Sequence, residues 1–304
     1  MQREALWGLF QTEWFMSVTM AFGSFIAGAT SEGGGAVAFP VMTLFFKIPP
    51  AVARDFSLMI QAFGMTAASL LIIVQGIKVE WRAILWGGIG GGVGIALGLT
   101  SIAPLVAPPV AKLFFTSLWL AFAVALYLIN RHHDRETKTK IEGFEPKHAA
   151  TLFGIGILGG IVSSITGSGL DIITFSLLVL AFRLSESIAT PTSVILMASN
   201  AVAGFFWKGT FLGGMEAEAF AYWYVCIPVV VIGAPLGARF IKNRSRLTIA
   251  TILYASIAIQ FTAALFIIPL NPLLVMTIVA TFSAGTLMFW LMAKAGSKRL
   301  MEYA

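Results

Sequence analysis

AGATSEGGGAVAFPVMTLFFKIPPAVARDFS fills residues 27–57, and GIVSSITGSGLDIITFSLLVLAFRLSESIATPTS fills residues 160–193. The two stretches share one plan. An apolar run stops at a break of glycines and small polar residues. A second apolar run follows, then a basic residue, then an A-x-x-x-S segment (ARDFS, ATPTS) that leads into a longer apolar run. TSEGGG, from Thr30 to Gly35, lies 134 residues before SITGSG, from Ser164 to Gly169. With two extra residues in the second copy, Lys47 to Ser57 lies 136 residues before Arg183 to Ser193, so Lys47 falls on Arg183, Ala53 on Ala189 and Ser57 on Ser193. Further on, GIALG (Gly94 to Gly98) aligns with GAPLG (Gly233 to Gly237). Matches in the same order at nearly constant spacing are the mark of an internal repeat.

Outside these stretches the chain is as apolar as they are. Of its 304 residues 58% are hydrophobic and 11% charged, and the mean hydropathy is +0.88, so most of its surface must meet lipid. Apolar runs fall near 14–31, 36–47, 55–76, 83–103, 110–130, 149–166, 170–182, 190–207, 219–238, 247–268 and 272–293. The reading is an all-α polytopic integral membrane protein of eleven helices. The net charge of +6 does not point to nucleic acid, because the basic residues sit in short polar gaps between runs, as membrane topology requires. Cys226, the only cysteine, lies inside an apolar run, which leaves no intrachain disulfide and no thiolate metal cluster. Met1 to Glu13 lacks a signal-peptide layout and reads as an interfacial lead-in.

Two runs, 36–47 and 170–182, are only 12 and 13 residues long, so each either crosses or re-enters. The basic residues discriminate. If all eleven runs cross, one face carries five Lys and Arg and the other fifteen; if both short runs re-enter, the split is nine to eleven. The positive-inside rule therefore favours crossing, with the N-terminus outside (periplasmic) and the C-terminus cytoplasmic. Arg131 to Lys147 (RHHDRETKTKIEGFEPK) is then a cytoplasmic linker. It divides the chain into a first repeat (1–130), the linker (131–147), a second repeat (148–268), and an extra C-terminal helix with a cytoplasmic tail (269–304). Five helices in the first unit make the two repeats inverted, the architecture of secondary transporters.

Both breaks open onto a short helix, where glycines let the backbone leave helical geometry and freed amides at a helix start favour an anion. Ser31, Gly33, Gly34 and Gly35 of the first break, with Thr166, Gly167, Ser168 and Gly169 of the second, are therefore candidate substrate-binding residues. Ser57 and Gln61 on the third run, with Ser193 and Asn200 at matching positions on the eighth, add polar side chains. Packing and interhelical hydrogen bonding are the alternative reading of the same residues. Glu32 and Asp171 are intramembrane carboxylates and so candidates for carrying a coupled proton. Lys47 and Arg183 occupy equivalent positions. Gly90, Gly94 and Gly98 have the spacing of close helix contact, and the G-x-G-x-x-G at Gly154, Gly156 and Gly159 has no strand before it and is not a nucleotide loop.

At AGATSEGGGAVAFPVMTLFF (27–46), GIVSSITGSGLDIITF (160–175) and the A-x-x-x-S segments, the chain resembles the TauE/SafE family of sulfite and organosulfonate exporters. That resemblance implies a multi-pass protein of the bacterial inner membrane that carries a small sulfur-containing anion such as sulfite or sulfoacetate. Uptake of thiosulfate or another small anion, or an anion channel, is the alternative. Glu32 departs from the small-residue first break of the family. The sequence implies no cofactor, no metal and no catalytic residue: there is no ATP motif, and a serine nucleophile in TGSG would have no base near it, since His132, His133 and His148 belong to the linker region. The partners implied are the anion, the bilayer and, as an open option, a second copy of the chain.

Overall fold

In a computed structural model, which describes residues 6–30, 33–130, 137–242, 244 and 246–302, each apolar run is a helix. A short helical lead-in (Leu6–Gly8, Leu9–Thr12) precedes α1 (Trp14–Ala29). There follow α2 (Gly33–Pro40), α3 (Pro50–Val74), α4 (Trp81–Leu97), α5 (Pro108–Asn130), α6 (Pro146–Thr166), α7 (Leu170–Ser176), α8 (Glu186–Phe211), α9 (Ala217–Ile241), α10 (Arg246–Ile267) and α11 (Pro272–Glu302). Eight of these are long and apolar enough to cross a membrane on their own, with α4 counted through Leu105. Large apolar side chains cover the outside, among them Phe266 at 87% exposure, as lipid-facing helices require.

The helix starts differ from the apolar runs for a physical reason. Pro49–Pro50 presets the first turn of α3, so the helix begins five residues before the apolar run does. Arg54 and Asp55 therefore lie inside it, although the apolar run begins only at 55.

The two aligned stretches share backbone detail that the side chains do not spell out. α2 and α7 each widen into a π-helical turn, Val41–Phe45 and Leu177–Ala181. Phe46 and Phe182 close those turns with nearly identical dihedrals (φ −90°, ψ −3° and φ −91°, ψ −5°). Lys47 (φ 55°) and Arg183 (φ 58°) come next, and they are the only non-glycine residues among those described with positive φ. A left-handed L-residue costs roughly 1–2 kcal/mol, so its recurrence at aligned positions is specified structure. Ile48 N then donates to Met42 O, and Leu184 N to Leu178 O, both at 2.9 Å.

Contacts fix the relative directions of the helices. α1 and α9 are parallel, with Ser17 bonding to Val225 and Gly28 packing against Ala234 and Ala238. α3 is also parallel to α9: Asp55 meets Glu216, Met59 meets Trp223, and Gly64 meets Val230. α1 and α3 thus run the same way, and the chain between them returns across the full layer. The same holds for α6 and α8, both parallel to α4 through Gly90 against Phe153, Gly98 against Ser164, Gly87 against Leu196, and Ile95 against Gly204. α3 and α8 are antiparallel, with Asp55 against Lys208 and Leu58 against Gly204.

The parallel pairs are held by glycine. A Cβ on Gly90 or Gly94 would lie 2.1 Å from the carbonyl oxygen of Phe153 or Ile157, and one on Gly237 would lie 2.1 Å from that of Phe25. Close backbone approach is how helices associate where lipid competes for apolar contacts. α7 is enclosed on every side: all residues from Thr166 to Phe182 are buried. Its cage comes from α5, α6, α8 and α11, whose Phe289 and Met292 belong to the same apolar cluster.

The described part of the linker is also tied down. Buried Glu80 accepts from Ile141 N at 2.8 Å, and Arg82 donates to Ile141 O at 3.1 Å while stacking over Phe144. Glu80→Ala leaves that buried amide unsatisfied, a cost of about 1–3 kcal/mol. Faster tryptic cleavage after Lys138 and Lys140 in the folded protein is the expected result, and an unchanged cleavage rate would contradict this tie.

Candidate substrate site

α6 ends because Gly167 takes φ +82° as its C-cap, its N–H donating to Ser163 O at 2.7 Å. The position admits no side chain. A Cβ there would lie 2.4 Å from Ser57 Cβ and 2.8 Å from Arg54 O, so the break of the second half rests directly on α3 of the first. Gln61 fastens it: its Nε2 donates to Gly167 O and to Ser57 O, both at 2.8 Å. Two carbonyl partners fix the amide orientation. They leave Gln61 Oε1 buried and without a hydrogen-bond partner among the described residues, and Ser57 Oγ is in the same position. An unpartnered buried polar atom costs about 1–3 kcal/mol, and two of them meet at this break.

The start of α7 does not present the bare amides that the sequence suggests. Gly169 N donates to Asp171 Oδ1 at 2.8 Å, and Leu170 N donates to Ser163 Oγ at 3.0 Å. Asp171, 1% exposed, also accepts from Ser168 Oγ, and no ion pair engages it among the described residues. Thr166 Oγ1 spends its hydrogen on Ser168 O. The protein's own carboxylate thus sits where an anion was expected.

The remaining candidates divide. Gly33, Gly34 and Gly35 form the first turn of α2, after α1 stops at extended Thr30. Ser31 and Glu32, like His132 and His133, lie outside the described residues. Ser193 bonds to Thr190 O of its own helix. Asn200 Oδ1 is buried and unpartnered, but it lies beside Gly91 and Leu170 rather than Gly167. His148 caps the start of α6, its Nδ1 accepting from Glu145 N. At 1.5 Å per residue that is roughly 27 Å from Thr166.

Sequence reasoning does not reach one cluster. Asp55, fully buried, binds Arg54 Nη2 at 2.9 Å, Lys208 Nζ, and Glu216 N at 2.9 Å. Arg54 and Lys208 line a cavity of about 560 Å³ that also touches Ile165, two residues before Gly167. The three charged residues are 1, 153 and 154 positions apart, and only the antiparallel contact of α3 with α8 brings them together.

Tightly packed apolar helices and enclosed broken helices define a polytopic membrane protein. The family model for the sulfite exporter TauE/SafE matches residues 16–261, from within α1 to within α10. The chain belongs to that family. No curated protein and no solved structure gives a significant match.

Proposed function

We propose that this chain is a secondary transporter that exports sulfite or a small organosulfonate by alternating access between two inverted repeats, with α11 added outside them. The observation that carries the site is the pair Ser57 Oγ and Gln61 Oε1, offered by the first half at the Gly167 break of the second. A hydroxyl donor next to a fixed amide acceptor suits hydrogensulfite, whose oxygens take one bond while its O–H gives the other; an organosulfonate uses the hydroxyl donor alone. The antiparallel run of α3 and α8 supports the inverted arrangement, as does the return of the chain across the layer between α1 and α3 and between α6 and α8. The excess of basic residues on one face supports the N-terminus-out orientation in an inner membrane.

In this reading Asp171 is the proton carrier. As a carboxylate it binds Gly169 N–H and Ser168 Oγ–H and holds the break closed; as an acid it gives up an acceptor, and the break loosens. Glu32 remains the candidate in the first break. In liposomes loaded with labelled sulfite, sulfoacetate or thiosulfate, sulfite or sulfoacetate efflux is expected to accelerate under an imposed pH gradient. Asp171→Asn is expected to keep flux down the substrate gradient and to lose the response to pH. No flux of any of the three anions would discard the function, and an intact pH response in Asp171→Asn would discard the carrier.

A further inference from the structure

The cavity above Asp55 carries a second inference, which rests on the transport reading for its physiological role but not for its chemistry. Arg54 and Lys208 are each 11% exposed in their side chains and, among the described residues, share one buried carboxylate, Asp55. The buried inventory is therefore two cations against one anion. Glu216 also lines the cavity, but its side chain is exposed and its contribution is screened by solvent. Taking charge out of water is costly unless it is compensated, so a net positive cavity of this kind favours an anionic guest. The volume, about 560 Å³, far exceeds a sulfite-sized ion with its waters. Its floor lies close to the break, since Arg54 O would lie 2.8 Å from a Cβ on Gly167.

The place of this cavity in the fold is one-sided. It is bounded by the starts of α3, α5 and α9 and the ends of α4, α6 and α8, all on one face. At the aligned positions of the other half, Arg54 and Asp55 are replaced by Thr190 and Pro191, which carry no charge. The two ends of the pathway therefore treat an anion differently.

We propose that Arg54 and Lys208 form a second anion-binding site, an antechamber to the Gly167 break, in which Asp55 is the internal counter-ion that a small oxyanion displaces. The guanidinium supplies a fork of N–H donors to two oxygens of the anion, and the ammonium supplies a point charge to the third. Displacement of Asp55 loosens its bond to Glu216 N at the start of α9, so occupancy of the antechamber is felt by the helix that packs along both α1 and α3.

The test is thermal unfolding of the purified protein in detergent while sodium sulfite is titrated at constant ionic strength with sodium chloride. Sulfate and phosphate serve as further probes. The half-saturating sulfite concentration is expected to rise roughly tenfold in Lys208→Gln, the worth of one charge-assisted hydrogen bond. It should stay near wild type in Lys208→Arg and fall in Asp55→Asn, which removes the competitor. Asp55→Asn also guards against misfolding as an explanation, because a purely structural triad predicts weaker sulfite stabilisation in that variant. Unchanged half-saturation in Lys208→Gln, weaker binding in Asp55→Asn, or no stabilisation beyond chloride would overturn the proposal. Binding that persists while liposomes show no sulfite flux would discard the transport reading and leave this site standing.

Discussion

Gly167→Val is expected to abolish sulfite flux to the level of empty liposomes. Valine at φ +82° meets two penalties at once. A β-branched residue in the left-handed region costs roughly 1–2 kcal/mol, and forcing its Cβ into Ser57 and Arg54 adds about 1–3 kcal/mol of overpacking. Neither neighbour is the free end of a side chain: one is a Cβ and the other a backbone carbonyl, so the break itself must move off α3. That movement separates Gly167 O from Gln61 Nε2 and dismantles the site. Gly154→Ala is the matched control, because nothing lies within 4 Å of its Cβ position on the same helix. Flux and melting temperature should both stay at wild-type values in that control. Flux retained in Gly167→Val would remove the break from the pathway.

The second large effect is on folding. Gly90→Leu places a Cβ 2.1 Å from Phe153 O and 3.1 Å from Ile157 N, in the contact along which α4 and α6 approach most closely. Backbone cannot yield as a side-chain tip can, so the two helices must part over several turns, and Gly94 and Gly156 lose their contacts with them. We expect no monodisperse protein from Gly90→Leu in size-exclusion chromatography. Gly92→Leu, two positions away with nothing within 4 Å, should elute like wild type. Normal behaviour of Gly90→Leu would mean that this glycine contact is not what holds α4 to α6.

Much of the fold is legible in the sequence because lipid enforces it. Every apolar run, including the two short ones, is a helix, and the glycines at 90, 94 and 98 lie in close helix contact as their spacing suggests. The alignment of Lys47 with Arg183 holds down to their shared left-handed backbone. What sequence does not give is anything set by contacts between the two halves. Hydropathy ends α3 at Asp55 because a carboxylate looks like a boundary, whereas Pro50 starts the helix earlier and Lys208, 153 positions later, supplies the partner. Ser163 is silent in the sequence because its role depends on the chain doubling back at Gly167, which brings Leu170 N to its hydroxyl. Ser57 and Gln61 are legible as a polar face, but their meeting with Gly167 rather than with Asn200 is a fact of packing. The occupied amide of Gly169 has a local cause: Asp171 stands in the first turn and accepts from it, a competition that a pattern of glycines does not reveal.

The inverted arrangement requires both short helices to cross, so that the two aligned turns emerge on opposite faces. Pro49 and Ser187 are exposed residues at those turns, and Cys226 is the only native cysteine. In a Cys226→Ala background, Pro49→Cys and Ser187→Cys should react with a membrane-impermeant maleimide from opposite sides of sealed vesicles, the first from outside and the second only in inverted ones. Labelling of both from the same side would contradict it.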